Sequence, residues 1–339
     1  MTTMPSGQRA SDRDASVPPE TGAAPEVPIV FRKDAGAAAA SRNLLLGYVF
    51  AVLGALTFSS KAIFIKLAYA EGTGVETLLA LRMMLSLPVY VAVGALSLRD
   101  RRRRGEGLPG RRLFVEAVIV GALGYWVAMY FDFLGLARIP AQLNVLILMT
   151  YPLFVVIFGA IVFGFPVQVR AVIAFAVSYA GLAVIFSGKL GSADGDMMLG
   201  AAFVLGSAVV FALYMLFARE MIGRMGPRLF TCVTMITVAA LAIGEFLAVE
   251  PISALAITPA AWGYAILLAV VSTIIPTFLM NAALQHITAQ ANATIGMLSP
   301  VATILMAVVV LGEMLTTRDV LGAALVVGGV GWFTLGRRG

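Results

Sequence analysis

"ARIPAQLNVLILMTYP" occupies residues 137–152, and "QHITAQANATIGMLSP" occupies residues 285–300. Both carry Ala-Gln-x-Asn, and both reach a proline ten residues after the glutamine, at an offset of 148. Sliding residues 134–182 onto 282–330 needs no gap. Ala141, Gln142, Asn144, Pro152, Gly164, Arg170 and Gly181 then fall on Ala289, Gln290, Asn292, Pro300, Gly312, Arg318 and Gly329. Aliphatic identities mean little in apolar sequence, so the Gln, Asn, Pro and Arg matches carry the repeat. A fainter match at offset 153 pairs Gly47 with Gly200, Phe50 with Phe203, Ala55 with Ala208 and Phe58 with Phe211, and sets Lys66 on the like-charged Arg219.

Composition says where such a repeat resides. The chain is 60% hydrophobic and 12% charged, with a mean hydropathy of +0.95. Soluble domains carry roughly 25% charged residues. Apolar runs near the ~20 residues that cross a bilayer core recur along the sequence. Ten are readable, at about 44–69, 75–98, 113–136, 140–163, 169–188, 198–218, 228–248, 261–285, 288–311 and 318–336. Backbone groups in lipid must be paired within their own segment, so each run is predicted to be a helix. The ten-residue alternation of a membrane barrel is absent. The expected fold is therefore an all-α integral membrane protein.

Residues 1–42 are polar, without apolar periodicity, and read as a disordered tail. Orientation follows from Lys and Arg. With the N-terminus inside, eighteen of the 24 fall in the tail, the 99–112 loop, the turns near Arg170 and Arg219–Arg228, and the C-terminus. Arg138, Lys189 and Arg318 fall outside, and Lys61, Lys66 and Arg82 lie within helices. That asymmetry places both termini in the cytoplasm of a cell with an inner (plasma) membrane. It also accounts for the net charge of +6 without nucleic acid as a partner.

Helices 1–5 thus correspond to helices 6–10. Five is odd, so the second copy enters the membrane upside down. Inverted repeats of this kind mark secondary transporters, with the solute site near the midplane between the halves. The domain reading is a tail at 1–42, a first repeat at 43–189 and a second, inverted repeat at 197–338.

These features resemble the EamA-type members of the drug/metabolite transporter superfamily, ten-helix proteins with two EamA domains. The resemblance covers roughly 44–336. It rests on Lys66 at the end of helix 1, Arg82 in "LLALRMMLSLPVY", and "QHITAQANATIGMLSPVATILMAVVVLGEMLTTRDVLGAALVVGGV", with Pro300, Gly312-Glu313 and a glycine-rich last helix. Two positions depart from the family pattern: Phe165 follows Gly164 where Glu is usual, and Lys61 stands where a small or amide residue is usual. The resemblance implies a transporter, more commonly an exporter.

Charge inside the membrane is costly and usually faces a bundle interior or a wet cavity. Lys61 lies roughly 10–12 Å below the outer end of helix 1 at ~1.5 Å per residue; Arg82 lies at similar depth in helix 2, and Asp132 near the outer end of helix 3. Either Lys61 and Arg82 meet an anionic group on a substrate, or Lys61 pairs with Asp132 and Arg82 bonds helix-end carbonyls. Glu313 is expected to cap a helix or to pair, and Glu116 and Glu245 to be solvated at the boundaries.

Pro152 and Pro300 each remove a backbone donor in mid-helix and are candidate points of helix break or gating. Asn144, Tyr151, Asn292 and Ser299 beside them either line the solute path or bond across helices at ~0.6 kcal/mol each. Trp126 and Tyr214 complete the candidate substrate-binding set. Gln142 and Gln290 begin their helices. Ser178, Ala180 and Gly181 of helix 5, with Gly322, Gly328, Gly329 and Gly331 of helix 10, read as a seam between the halves.

The leading expectation is an alternating-access transporter of a small polar metabolite, such as an amino acid or another carboxylate-bearing solute. One alternative is a drug or amphipath exporter working by proton antiport. Related four-helix multidrug antiporters use a first-helix Glu, whereas Lys61 and its counterpart Tyr214 stand here. A membrane-embedded enzyme or a structural membrane protein is the other alternative. The chain has one cysteine and one histidine, and no paired carboxylates or metal cluster in its helices. No catalytic residue, cofactor or metal is expected. The expected partners are a small-molecule substrate and the bilayer; a proton is a candidate coupling ion, and a monomer fits the sequence.

Overall fold

The computed structural model describes residues 30–105, 107–164, 169–187, 195–283, 285–287, 295–296 and 298–335. A compact unit begins at Asn43, and its helices are numbered here in chain order. They are α1 (Asn43–Ala70), α2 (Val75–Arg103), α3 (Arg111–Arg138), α4 (Ala141–Val162), α6 (Gly195–Met225), α7 (Pro227–Val249) and α8 (Pro259–Met280), with α5 (Val169–Ser187), α9 (Leu298–Leu311) and α10 (Thr317–Leu335). Seven, α1–α4 and α6–α8, are long and apolar enough to cross a membrane. Among the described residues there is no strand. Helix also covers 30–42, thirteen residues of the expected tail; the Ala-rich "AGAAAASR" there has high intrinsic helix propensity.

Large apolar side chains face outward, as lipid requires: Ile161, Val309 and Met314 are exposed. The main buried core lies where α1, α2, α3, α7 and α8 meet, around Ile65, Leu78, Leu81, Phe133 and Leu268. Gly164 and Gly312, paired at offset 148, both take the left-handed conformation, with φ of 68° and 66°. Gly164 terminates α4 and Gly312 directly follows α9. A residue with a Cβ is disfavoured in that geometry, which is why the repeat keeps glycine there.

The expected seam joins α5 to α10, and its contacts repeat in pairs. A Cβ on Gly181 would meet Gly322 O at 2.7 Å, and one on Gly329 would meet Ala174 O at 3.1 Å. Gly181 corresponds to Gly329, and Ala174 to Gly322. Each contact is therefore the other's copy across a pseudo-two-fold axis. Small residues let the two backbones approach there. Gly322→Val is expected to force α5 from α10, since its Cβ would stand 2.3 Å from Ile185 Cγ1 and 2.5 Å from Gly181 O. Overpacking of this kind costs roughly 1–3 kcal/mol or more. Gly328→Ala, whose Cβ meets nothing within 4 Å, should melt like wild type in the same detergent; equal melting of both variants would remove the seam.

Four helices are irregular where they approach the centre. In α1, Thr57, Ser59 and Ser60 hydroxyls bond Leu53 O, Ala55 O and Thr57 O at 2.7, 2.6 and 2.7 Å. Such back-bonding bends helices, and α1 is interrupted at Ser60, directly before Lys61. π-helical turns occupy Gly121–Trp126 in α3 and Val270–Ile274 in α8, at corresponding places in the two repeats. Turns of this type recur at functional sites. The proline break of the first repeat is also explicit: α4 is interrupted at Met149-Thr150 and restarts at Tyr151 with Pro152 in its first turn.

Candidate functional site: a central cavity

The irregular segments converge on a cavity of about 920 Å³. α1, α2, α3, α4, α6, α8, α9 and α10 all contribute to its wall. Of the candidate residues, Lys61, Arg82, Tyr151, Pro152, Tyr214, Ser299 and Pro300 line it. Asn144 stands one layer behind. Trp126 is not part of the described lining; it stacks on Tyr130, with ring centroids 5.8 Å apart and planes at 10°. The reason is helical phase: successive residues point in different directions around the helix, so Tyr125 lines the cavity while Trp126 meets Tyr130. Asn292, like Ala289 and Gln290, lies outside the described residues.

Charge in the cavity is organised by Asp132. Lys61 Nζ donates to Asp132 Oδ2 at 2.6 Å, with side chains only 13% and 5% exposed. Asn144 Nδ2 donates to Asp132 Oδ1 at 2.9 Å. Both carboxylate oxygens are therefore occupied, and the Asn of the repeat motif is tied to the Lys beside the α1 break.

Arg82 is differently placed. It is 3% exposed, its Nε donates to Thr273 Oγ1 at 2.9 Å, and its guanidinium lies 5.5 Å from the centre of the Phe133 ring. Thr273, within the π-turn of α8, passes its own proton to Leu268 O at 2.8 Å, so its oxygen is turned to accept from Arg82. Among the described residues no carboxylate stands at ion-pair distance from Arg82, Asp132 acting on it only at longer range, and its two terminal nitrogens have no hydrogen-bond partner among those residues. A buried cation in that condition is a strong anion attractor.

Hydroxyls join the breaks around this centre. Ser59 Oγ lies 2.8 Å from Ser299 Oγ, next to Pro300, and Thr303 Oγ1 donates to Ser59 O at 3.1 Å. Ser60 Oγ lies 2.7 Å from Ser272 Oγ of the α8 π-turn. An aromatic cluster also lines the cavity: Tyr125 and Tyr214 meet at 5.3 Å, Tyr151 and Phe211 at 5.1 Å, and Phe211 and Tyr214 at 5.7 Å. The cavity combines buried cationic and polar groups with this aromatic cluster.

Sequence reasoning missed Thr273, Ser59, Ser272 and Phe211. Its two further expectations about acids divide. Glu313 does cap: Ala141 N and Gln142 N donate to its two carboxylate oxygens at 2.7 and 3.2 Å. Gln142 Nε2 adds a bond to Met314 O at 3.2 Å. A carboxylate at a helix N-terminus satisfies free N–H groups and the helix dipole. Glu313→Ala is expected to lower stability by about 1–2 kcal/mol, read as a drop in melting temperature in detergent; an unchanged temperature would refute the cap. Glu245, expected to be solvated, instead has one carboxylate oxygen fully buried, with Tyr130 of α3 and Glu76 of α2 as neighbours. Glu116 is partly exposed and lies 2.8 Å from Arg112.

Comparison with known proteins agrees with this architecture. The model of the EamA-like transporter family matches residues 45–187 and 198–335, and the chain belongs to that family. It is a multi-pass membrane transporter with ten helices in two repeats. The chain is 28% identical over 296 residues to a Bacillus subtilis (strain 168) protein named uncharacterized transporter YcbK, covering 83% of this chain and 90% of the relative. A solved crystal structure superposes with a TM-score of 0.57 at 20% identity, covering 86% of this chain and 98% of the other. At that identity the likeness bears on the fold alone.

Proposed function

We propose that this transporter moves a small polar metabolite bearing a carboxylate, an amino acid or a related acid, out of the cell across the inner membrane. Both termini lie in the cytoplasm in this reading, as the Lys/Arg asymmetry requires. The two repeats exchange access to the central cavity by rocking about the α5–α10 seam. The observation that supports the substrate class is Arg82, a buried guanidinium on the cavity wall with Thr273 as its one described hydrogen-bond partner. A substrate carboxylate fits its planar fork bidentately. Cationic solutes are poorly served, because the single acidic side chain of the described lining, Asp132, is already held by Lys61 and Asn144.

The test is a panel of isotope-labelled metabolites in vesicles containing the purified protein, with and without a pH gradient. Carboxylates are expected to exchange across the membrane, and the gradient arm reports proton coupling. If no solute moves under any ion gradient, the reading fails.

A further inference from the structure

We propose that Asp132 sets the charge of the solute that the cavity accepts. By holding Lys61 it leaves one cation, Arg82, for the substrate, so the site is built for a single negative charge; this rests on the anion reading above. The charged residues of the described lining are Lys61, Arg82, Asp132 and Arg219. Arg219 is exposed, roughly three turns along α6 from Ser207 of the same lining, and its charge is screened by water. The buried part therefore holds two cations and one anion. The remaining polar groups around Asp132 and Arg82 among the described residues are uncharged amides and hydroxyls: Asn144 from α4, Thr273 from α8, and the phenols Tyr69, Tyr90 and Tyr125.

The geometry distinguishes the two cations. Asp132 is fixed from both sides, by Lys61 at 2.6 Å and by Asn144 at 2.9 Å. Lys61 is a flexible point charge already neutralised, whereas Arg82 presents a rigid fork with free valences. A monocarboxylate on Arg82 brings the buried charge to zero. A dicarboxylate leaves one carboxylate desolvated against the Lys61–Asp132 pair, where a buried unpaired charge is penalised. Asp132 is thus a specificity-determining residue that screens out the second charge, and Asn144 is the positioning residue that keeps its carboxylate turned to Lys61.

A charge series tests this. Mono- and dicarboxylates of matched length, four to eight carbons, are titrated into the purified full-length protein, and half-saturation is read from the shift in thermal unfolding. Wild type should prefer monoanions. Asp132→Asn, which keeps shape and frees Lys61, should move the ratio toward dianions by roughly tenfold or more. Lys61→Gln/Asp132→Asn restores a single cation and should return the wild-type preference. A wild-type protein that prefers dianions overturns the proposal without any variant, as does a folded Asp132→Asn protein with the wild-type ratio. If no carboxylate of either kind binds to any of the proteins, the anion reading itself falls, which is a distinct result.

Discussion

Lys61→Ala is expected to destabilise the protein by roughly 3–5 kcal/mol, the scale for leaving one partner of a buried ion pair alone. Asp132 is the group left behind, 5% exposed and with only the Asn144 amide to meet it. Removing both charges, in Lys61→Ala/Asp132→Ala, should recover a substantial part of that loss, because an empty pair strands no charge. Thermal unfolding of the three proteins in one detergent measures it. A single variant as stable as wild type would show that the pair contributes nothing to the fold; a double variant no better than the single would show that the loss is not that of a stranded charge. Lys61→Arg is expected to hold the pair less well than lysine, since the longer, planar head needs space beside Phe58, whose ring centre lies 5.8 Å from Nζ.

Arg82→Gln should have the opposite profile. Its charge has no carboxylate at ion-pair distance among the described residues, Asp132 acting on it only at longer range, so its removal relieves an incompletely compensated buried cation. Stability is expected to hold or rise. Affinity for a carboxylate substrate should fall roughly a hundredfold, within the 2–5 kcal/mol that truncating a buried charged contact costs. Arg82→Lys keeps the charge but loses the fork and the bond from Nε to Thr273, and should recover only part of the affinity. Equilibrium binding and unfolding on the same preparations separate these effects. Stability that drops with unchanged affinity would assign Arg82 to the scaffold. Functional sites often carry groups that the fold would be more stable without, and the proposed carboxylate site predicts such a contrast between Lys61 and Arg82.

Much of the architecture is legible in the sequence because the membrane imposes it. Length and apolarity define the spans, and the 148-residue offset defines the inverted repeat. The same offset anticipates the matched glycines Gly164 and Gly312 and the reciprocal contacts of Gly181 and Gly329. Lys61, Arg82, Tyr151, Tyr214 and Ser299 reach the cavity as intramembrane charge and polarity lead one to expect. Other features have no short-range signature. The π-turns of α3 and α8 leave no composition mark, yet they set Tyr125 on the wall and bring Thr273 to Arg82. Trp126 looked equivalent to its neighbour and is turned away by one helical step. The Glu313 cap joins residues 171 and 172 positions apart, a proximity that only the folded pair of repeats creates. The sequence also left two readings of Lys61 open, substrate contact or pairing with Asp132. The ion pair is present, and only the folded helices place Thr273, 191 positions away, against Arg82.

The most direct measurement compares a labelled carboxylate with its uncharged amide in counterflow across vesicles containing the purified protein. Carboxylate recognition at Arg82 requires that the acid exchange and that the amide neither exchange nor compete at equal concentration. Equal exchange of acid and amide would contradict the account, because a solute held through its carboxylate by the Arg82 guanidinium must be discriminated from its uncharged amide.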